Sequence, residues 1–259
     1  MADNVFTIND LSFSYGTHKV IDNLNMEFAE GKITTLIGAN GCGKSTLFNL
    51  LTKNLKSQSG SISLYNENID NIKLKEFAQK IAIVHQYNTA PSDITVEKLV
   101  GYGRTPYMTF GISKDTKADE EKVRWALEIT NTYKHKDKAV ANLSGGQKQR
   151  VFIAMALAQD TKVLFLDEPT TYLDIRYQLQ ILKLIRRLNK EFDMTIVMVL
   201  HDINQALYYS DEIAAMRDGQ IAAKGKPDEI ITSELINKVY GVNLDVEIHN
   251  NKPFVISWN

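Results

Sequence analysis

The sequence predicts an α/β fold: a mostly parallel sheet, an antiparallel β portion near the N-terminus and an inserted α-helical subdomain. Three observations predict it. Apolar, β-branched-rich runs at residues 163–166 and 195–200 are each followed by a helical segment, the pattern of buried parallel strands. A strand at 32–37 runs straight into a glycine-rich stretch and then a helix over 45–53. Between 95 and 133, Val96, Leu99 and Val100, then Val123, Ala126, Leu127 and Ile129, recur at helical spacing.

The elements follow in order. VFTINDLSFSY at 5–15 alternates as a half-buried strand, and 20–28 and 32–37 read as strands turned at Glu30-Gly31. Residues 60–65 and 81–84 are short strands that extend the sheet. The helical insertion runs over 95–157 and carries a glycine- and aromatic-rich loop, GYGRTPYMTFG. Beyond it, 211–216 is a strand, and Arg217-Asp218-Gly219-Gln220 is a hairpin turn into 221–223. Lys226-Pro227-Asp228-Glu229 opens a helix, and 242–259 forms a short strand-rich appendix.

Composition bounds the function. The 259 residues are 44% hydrophobic and 24% charged, ordinary for a globular chain that buries a good core. A net charge of -1 gives no sign of a nucleic-acid partner. Cys42 is the single cysteine, which rules out an intrachain disulfide and suits a reducing compartment. The opening MADNVFTIND has acidic residues and no apolar core, so no signal peptide is expected. The longest apolar runs, 151–158 and 196–200, fall far short of the ~20 residues that span a bilayer. Work at a membrane would need the membrane part from another chain.

GANGCGKST at 38–46 is a complete phosphate loop of the form G-x-x-x-x-G-K-S/T. Gly38, Gly41 and Gly43 let the backbone wrap around phosphate, with the N–H groups of Ala39, Asn40, Cys42 and Thr46 among those available at a helix N-terminus. Lys44 would bridge the β and γ phosphates, and the Ser45 hydroxyl would ligate Mg²⁺. Cys42 stands at a variable position of the loop and is not read as catalytic. A second glycine turn, LSGGQ at 143–147, opens a second helix. One nucleotide needs one such loop, so the second suggests half of another site and two copies closing around shared ATP. VLFLDE at 163–168 ends a buried strand in Asp167 and Glu168, at the sheet edge where α/β folds bind ligands. Asp167 would hold Mg²⁺ through its water shell, and Glu168 would polarise the attacking water.

GANGCGKST, Gln86, LSGGQKQR, VLFLDEPT, Leu173-Asp174 and His201 together make the chain resemble the ATP-binding-cassette ATPases over nearly its whole length. The resemblance implies one cassette domain with a P-loop NTPase core. A RecA-like part occupies 1–94 and 158–241, the helical signature subdomain 95–157, and the appendix 242–259. Position by position, it implies that Tyr15 stacks on adenine, the alternative being a core strand aromatic. Gln86 senses Mg²⁺ and the membrane partner. Ser144, Gly145, Gly146 and Gln147 face the γ-phosphate held by the opposite subunit, although Ser144 can equally be a plain helix cap. Asp174 lies in the loop that crosses between subunits, where Thr171-Tyr172-Leu173-Asp174 stands in place of the frequent Ser-Ala-Leu-Asp. His201 contacts the γ-phosphate. The remaining histidines show no ligand spacing.

Within that family, TVEKLVGYGRTPY, EPTTYLDIRYQLQILKLIRRLN, VMVLHDINQALYYSD and the ending VYGVNLDVEIHNNKPFVI are similar to ATPases of bacterial importers for iron–siderophore, haem and cobalamin. This resemblance implies a homodimer, or a pair with a second ATPase subunit, at the cytoplasmic face of the cell membrane. Its partners would be permease subunits and, indirectly, an extracytoplasmic binding protein. The alternative is a soluble cassette ATPase that moves no solute, such as an iron–sulfur assembly factor.

Overall fold

The computed structural model describes residues 4–108, 116–249 and 252–256. Thr109, Phe110 and Gly111 of the aromatic loop, the opening residues 1–3 and residues 257–259 of the appendix lie outside this set. The chain divides into two compact units, Met1–Ile72 with Asn189–Asn259, and Lys73–Leu188. The second is wider than the helical insertion at 95–157, because it also takes in two strands.

The first unit begins with β1 (Asn4–Tyr15), β2 (His18–Ala29), β3 (Ile33–Ile37), α1 (Lys44–Leu51), β4 (Ser59–Leu64) and β5 (Glu67–Asn68). β1 lies between β2 and β4 in an antiparallel sheet ordered β2-β1-β4-β5. Its alternation buries Phe6, Ile8, Leu11 and Phe13, with Phe6 set edge-on to Phe28 at 6.2 Å between ring centroids. The register shifts between Ile8 and Leu11, where Asp10 takes φ 49°. That bulge returns Leu11 to the buried face after two polar residues in succession. The strand read at 60–65 therefore extends this antiparallel sheet.

The second unit holds α2 (Leu74–Lys80), β6 (Ile81–Val84), α3 (Val96–Gly101), α4 (Thr116–Ile129), α5 (Gly145–Ala158), β7 (Val163–Asp167) and the start of α6 (Ile175–Phe192). β6 and β7 run parallel, with Ile81 opposite Val163 and Val84 opposite Leu166. The helical spacing falls where expected: Val96, Leu99 and Val100 are buried on α3, and Val123, Ala126 and Leu127 on α4. α2 was invisible to periodicity, since Phe77 is its one buried residue and Leu74 faces solvent. The aromatic loop is a 3₁₀ turn over Tyr102–Tyr107. Its Arg104 is buried, donates to Asp119 at 2.7 Å and to the Ala158 carbonyl at 2.8 Å, and lies 4.1 Å from the Tyr107 ring centroid.

The chain returns to the first unit with β8 (Thr195–Val199), α7 (Ile203–Tyr209), β9 (Glu212–Arg217), β10 (Gln220–Gly225), α8 (Pro227–Ile230), α9 (Ser233–Tyr240), β11 (Asp245–His249) and β12 (Lys252–Ile256). β3 is parallel to both β8 and β9, and β10 pairs antiparallel with β9. All five residues of β3 and of β8 are buried, so β8 reads as an apolar run from Ile196, whereas β3 buries Thr34 and Thr35 between its apolar ends. The β9–β10 turn has Asp218 at φ 48° and Gly219 at φ 77°, the paired left-handed geometry of a two-residue hairpin. The helix opened by Pro227 stops after four residues. Thr232 then caps a new one, its hydroxyl accepting the Leu235 N–H at 3.1 Å. β11 and β12 form the small hairpin of the appendix.

Candidate functional site

The phosphate loop lies in the first unit, where β3 hands over to α1. Gly38, Gly41 and Gly43 all take positive φ, at 151°, 81° and 108°. At Gly38 glycine is also required by space: a Cβ would come within 2.5 Å of the Met216 carbonyl and 2.7 Å of Cys42 Sγ. α1 starts from Gly43 with no side-chain cap. Its first N–H groups therefore keep their hydrogen-bonding capacity and the positive end of the helix dipole, which suits an anion. Lys44 is buried, yet its Nζ is satisfied inside the loop by the carbonyls of Gly38 at 2.7 Å and Ala39 at 2.9 Å. This arrangement holds the ammonium in place beside the phosphate-binding turn. Ser45 is exposed at the first turn, whereas Thr46 is buried.

Two hydrogen bonds from distant elements fix this loop from behind, one of them through a turn that is itself tied to β2, and neither has a local sign in the sequence. The Gly219 N–H donates to the Cys42 carbonyl at 3.0 Å, and the Gly219 carbonyl accepts from Asp22 N–H at 3.2 Å. The Gly38 N–H donates to the Tyr240 hydroxyl at 3.1 Å. Tyr240 ends α9, and burial pushes its hydroxyl up to about 12, so it stays neutral at ordinary pH. Tyr240→Phe leaves a buried N–H without its acceptor, at a cost of about 1–2 kcal/mol. We expect nucleotide affinity to fall by roughly five- to thirtyfold with kcat little changed, as read by titration calorimetry and steady-state kinetics.

The other first-unit candidates stand at strand ends. Tyr15 closes β1 with its ring 52% exposed and set edge-on to Phe13 at 4.9 Å. It is not a core aromatic. His201 follows β8 and is exposed. Its neighbour Asp202 caps α7, accepting the Gln205 N–H at 2.9 Å, so that carboxylate is engaged by the backbone.

The second unit carries the acidic and signature residues. Glu168 follows β7 at φ 49°, and its Oε2 accepts from Gln86 Nε2 and, at 3.1 Å, from Thr171 Oγ1. Asp167 is partly buried at the end of β7. Ser144 and Gln147 form a reciprocal capping box at the start of α5: Ser144 Oγ accepts the Gln147 N–H at 3.4 Å, and Gln147 Oε1 accepts the Ser144 N–H at 3.0 Å. Both readings of Ser144 thus remain compatible, as cap and as ligand. Gly145 is exposed, whereas a Cβ on Gly146 would lie 2.5 Å from the Tyr177 ring. Asp174 Oδ1 accepts the Tyr177 N–H at 3.1 Å and so caps α6. His135, assigned no role from sequence, sits 3.3 Å from Gln147 Nε2. Burial, then Lys138 and Lys134, push its pKa down, so a neutral ring can accept from that amide.

The comparisons with known proteins identify the family. Residues 21–171 match the ABC transporter family. The iron(3+)-hydroxamate import ATP-binding protein FhuC of Bacillus subtilis is 40% identical over 99% of this chain and 96% of its own length. The ferric enterobactin transport ATP-binding protein FepC of Escherichia coli K12 is 44% identical over 90% of this chain and 85% of its own. Among solved structures, dimeric MJ0796, a bacterial ABC transporter cassette, superposes with a TM-score of 0.73 at 26% identity, covering 85% of this chain and 98% of that one. With the family match over residues 21–171 and identities of 40% and 44% across nine-tenths or more of its length, the chain belongs to the ABC transporter family, as one of its ATP-binding ATPase subunits.

Proposed function

We propose that two copies of this chain, or one copy and a second ATPase subunit, bind ATP between them and drive import of a ferric siderophore, haem or cobalamin being the alternative cargo. Permease subunits hold the pair at the cytoplasmic face of the membrane, and an extracytoplasmic binding protein delivers the cargo. Among the described residues no helix is long and apolar enough to cross a membrane. In this reading the permease subunits provide the passage. The observation that carries the cargo class is identity of 40% and 44%, over nearly the whole chain, to proteins named for iron(3+)-hydroxamate and ferric enterobactin.

In this reading Tyr15 stacks on adenine, and the N–H groups of the 38–46 loop with Lys44 bind the phosphates. Ser144, Gly145, Gly146 and Gln147 of one copy close on the γ-phosphate bound by the other, and Asp174 lies in the segment that crosses between them. Glu168 takes the proton of the attacking water, and His201 contacts the γ-phosphate. The donor set fits Mg²⁺: the Ser45 hydroxyl, the Gln86 amide and the Asp167 carboxylate all offer hard oxygen. An Mg²⁺ ion held by these residues would supply charge neutralisation for the β and γ phosphates. Differential contact with the γ-phosphate is what separates the closed pair from the open one.

The cargo is tested in cells. A strand of evidence independent of ATPase assays comes from growth: deletion of the gene is expected to abolish growth on ferric siderophore as sole iron source while leaving growth on ferrous iron intact. Unchanged uptake of iron-loaded siderophore by the deletion strain would remove the assignment.

A further inference from the structure

Two loops leave the paired strands β6 and β7 side by side. The parallel register sets Val84 against Leu166, so two residues on, Gln86 reaches Glu168. A second link joins the same loops at a different pair of residues. The hydroxyls of Tyr87 and Tyr172 lie 2.9 Å apart, their ring centroids 6.1 Å apart and the ring planes inclined at 37°. Tyr172 is the position where this chain departs from the alanine of Ser-Ala-Leu-Asp. Its backbone sits at φ 62°, a region that a bulky side chain rarely adopts. The rings are 69% and 80% exposed, so core burial does not hold them in place. Their hydrogen bond raises the Tyr87 hydroxyl above its ordinary value, so Tyr87 keeps its proton at ordinary pH.

We infer that Tyr87 and Tyr172 form a clasp that keeps Gln86 against Glu168 Oε2 and restrains that oxygen from taking the proton of the attacking water. The inference rests on Glu168 being the base of the proposed ATPase. Glu168 Oε2 already accepts from Gln86 and Thr171, so both of its lone pairs are engaged and a water has no acceptor site left on that oxygen. Gln86 must withdraw to open that site, and its chain neighbour Tyr87 is tied to the loop it must leave. Both tyrosines are positioning residues, since neither touches the reacting atoms. The clasp belongs to the resting arrangement, and a signal that moves the Gln86 loop opens it.

The experiment uses the full chain without permease. kcat and KM for ATP are measured for the parent, Tyr87→Phe, Tyr172→Phe and the double variant, since phenylalanine keeps each ring and removes only the hydroxyl. Each single variant is expected to raise kcat about two- to fivefold with KM unchanged, the yield of releasing one ordinary hydrogen bond. The double variant is expected to match the singles, because both changes break one link. Tyr172→Ala, which installs the family's residue, should behave likewise and guards against an idiosyncratic effect of phenylalanine. Thermal midpoints should stay equal, as both rings are exposed. Singles with unchanged or lowered kcat overturn the clasp, and so do effects that multiply in the double variant. Glu168→Gln in the same assay separates the two claims. Normal turnover there defeats the base assignment, whereas a dead Glu168→Gln beside tyrosine variants that match the parent defeats the clasp alone.

Discussion

Glu168→Gln is expected to bind ATP as the parent does, to lose at least ~100-fold in kcat, and to accumulate a closed pair with ATP trapped. The substitution keeps the shape of the side chain and its reach to Gln86 and Thr171, but removes the charge and the capacity to take a proton. General-base assistance contributes roughly 100- to 10,000-fold, so a loss of that size identifies the base and a loss of a few-fold does not. The site is well placed for the role. β7 buries Val163 to Leu166, and the turn at Glu168, with φ 49°, presents the carboxylate at the strand's carboxyl end. Two measurements check it together: phosphate release under saturating ATP, and size-exclusion chromatography with ATP and Mg²⁺. Binding without turnover, with a shift to the dimer, is the expected pair of results. Near-normal phosphate release would transfer the role of base to another residue.

Much of this site was legible in the sequence, for a definable reason. The phosphate loop, the strand ending in Asp167-Glu168 and the LSGGQ turn are local devices, in which neighbouring residues build the geometry by themselves. Gly38 needs its positive φ wherever the loop is found, and Ser144 with Gln147 needs only three residues of helix to close a capping box. The hairpin at Asp218-Gly219 was equally local. What stayed hidden depends on distant partners. Tyr240 looks like an ordinary aromatic at the end of a short helix, and only folding brings its hydroxyl to Gly38. α2 buried too little to leave a period, and the Thr232 cap that divides α8 from α9 lay within an unremarkable polar stretch. Tyr172 was visible as a departure from the family pattern, but its partner Tyr87 was not, because their contact follows from the parallel register of β6 and β7.

Mixing two inactive variants gives the second large effect. Lys44→Ala alone is expected to weaken nucleotide binding and charge stabilisation together, lowering kcat/KM by on the order of 100- to 1,000-fold. The lysine is buried and anchored on the Gly38 and Ala39 carbonyls, so its loss also removes a donor from each, Ala39 keeping only the Cys42 N–H at 3.3 Å. Ser144→Arg alone is expected to be similarly inactive. It removes the cap of α5 and puts a cation at the positive end of that helix, where a γ-phosphate would bind. If each nucleotide lies between the phosphate loop of one copy and the Ser144 turn of the other, a mixed pair places both lesions in one site and leaves the other intact. At equal mixing half of the pairs are mixed and each keeps one of two sites, so roughly a quarter of the parent rate should return if the sites work independently. Recovery should follow subunit exchange and depend on ATP. If each chain instead completes its own site, every chain in the mixture carries a lesion, and the mixture stays as inactive as its parts. The outcomes differ by an order of magnitude or more, and only sharing between copies gives the LSGGQ turn a reason to lie on the same chain as a complete phosphate loop.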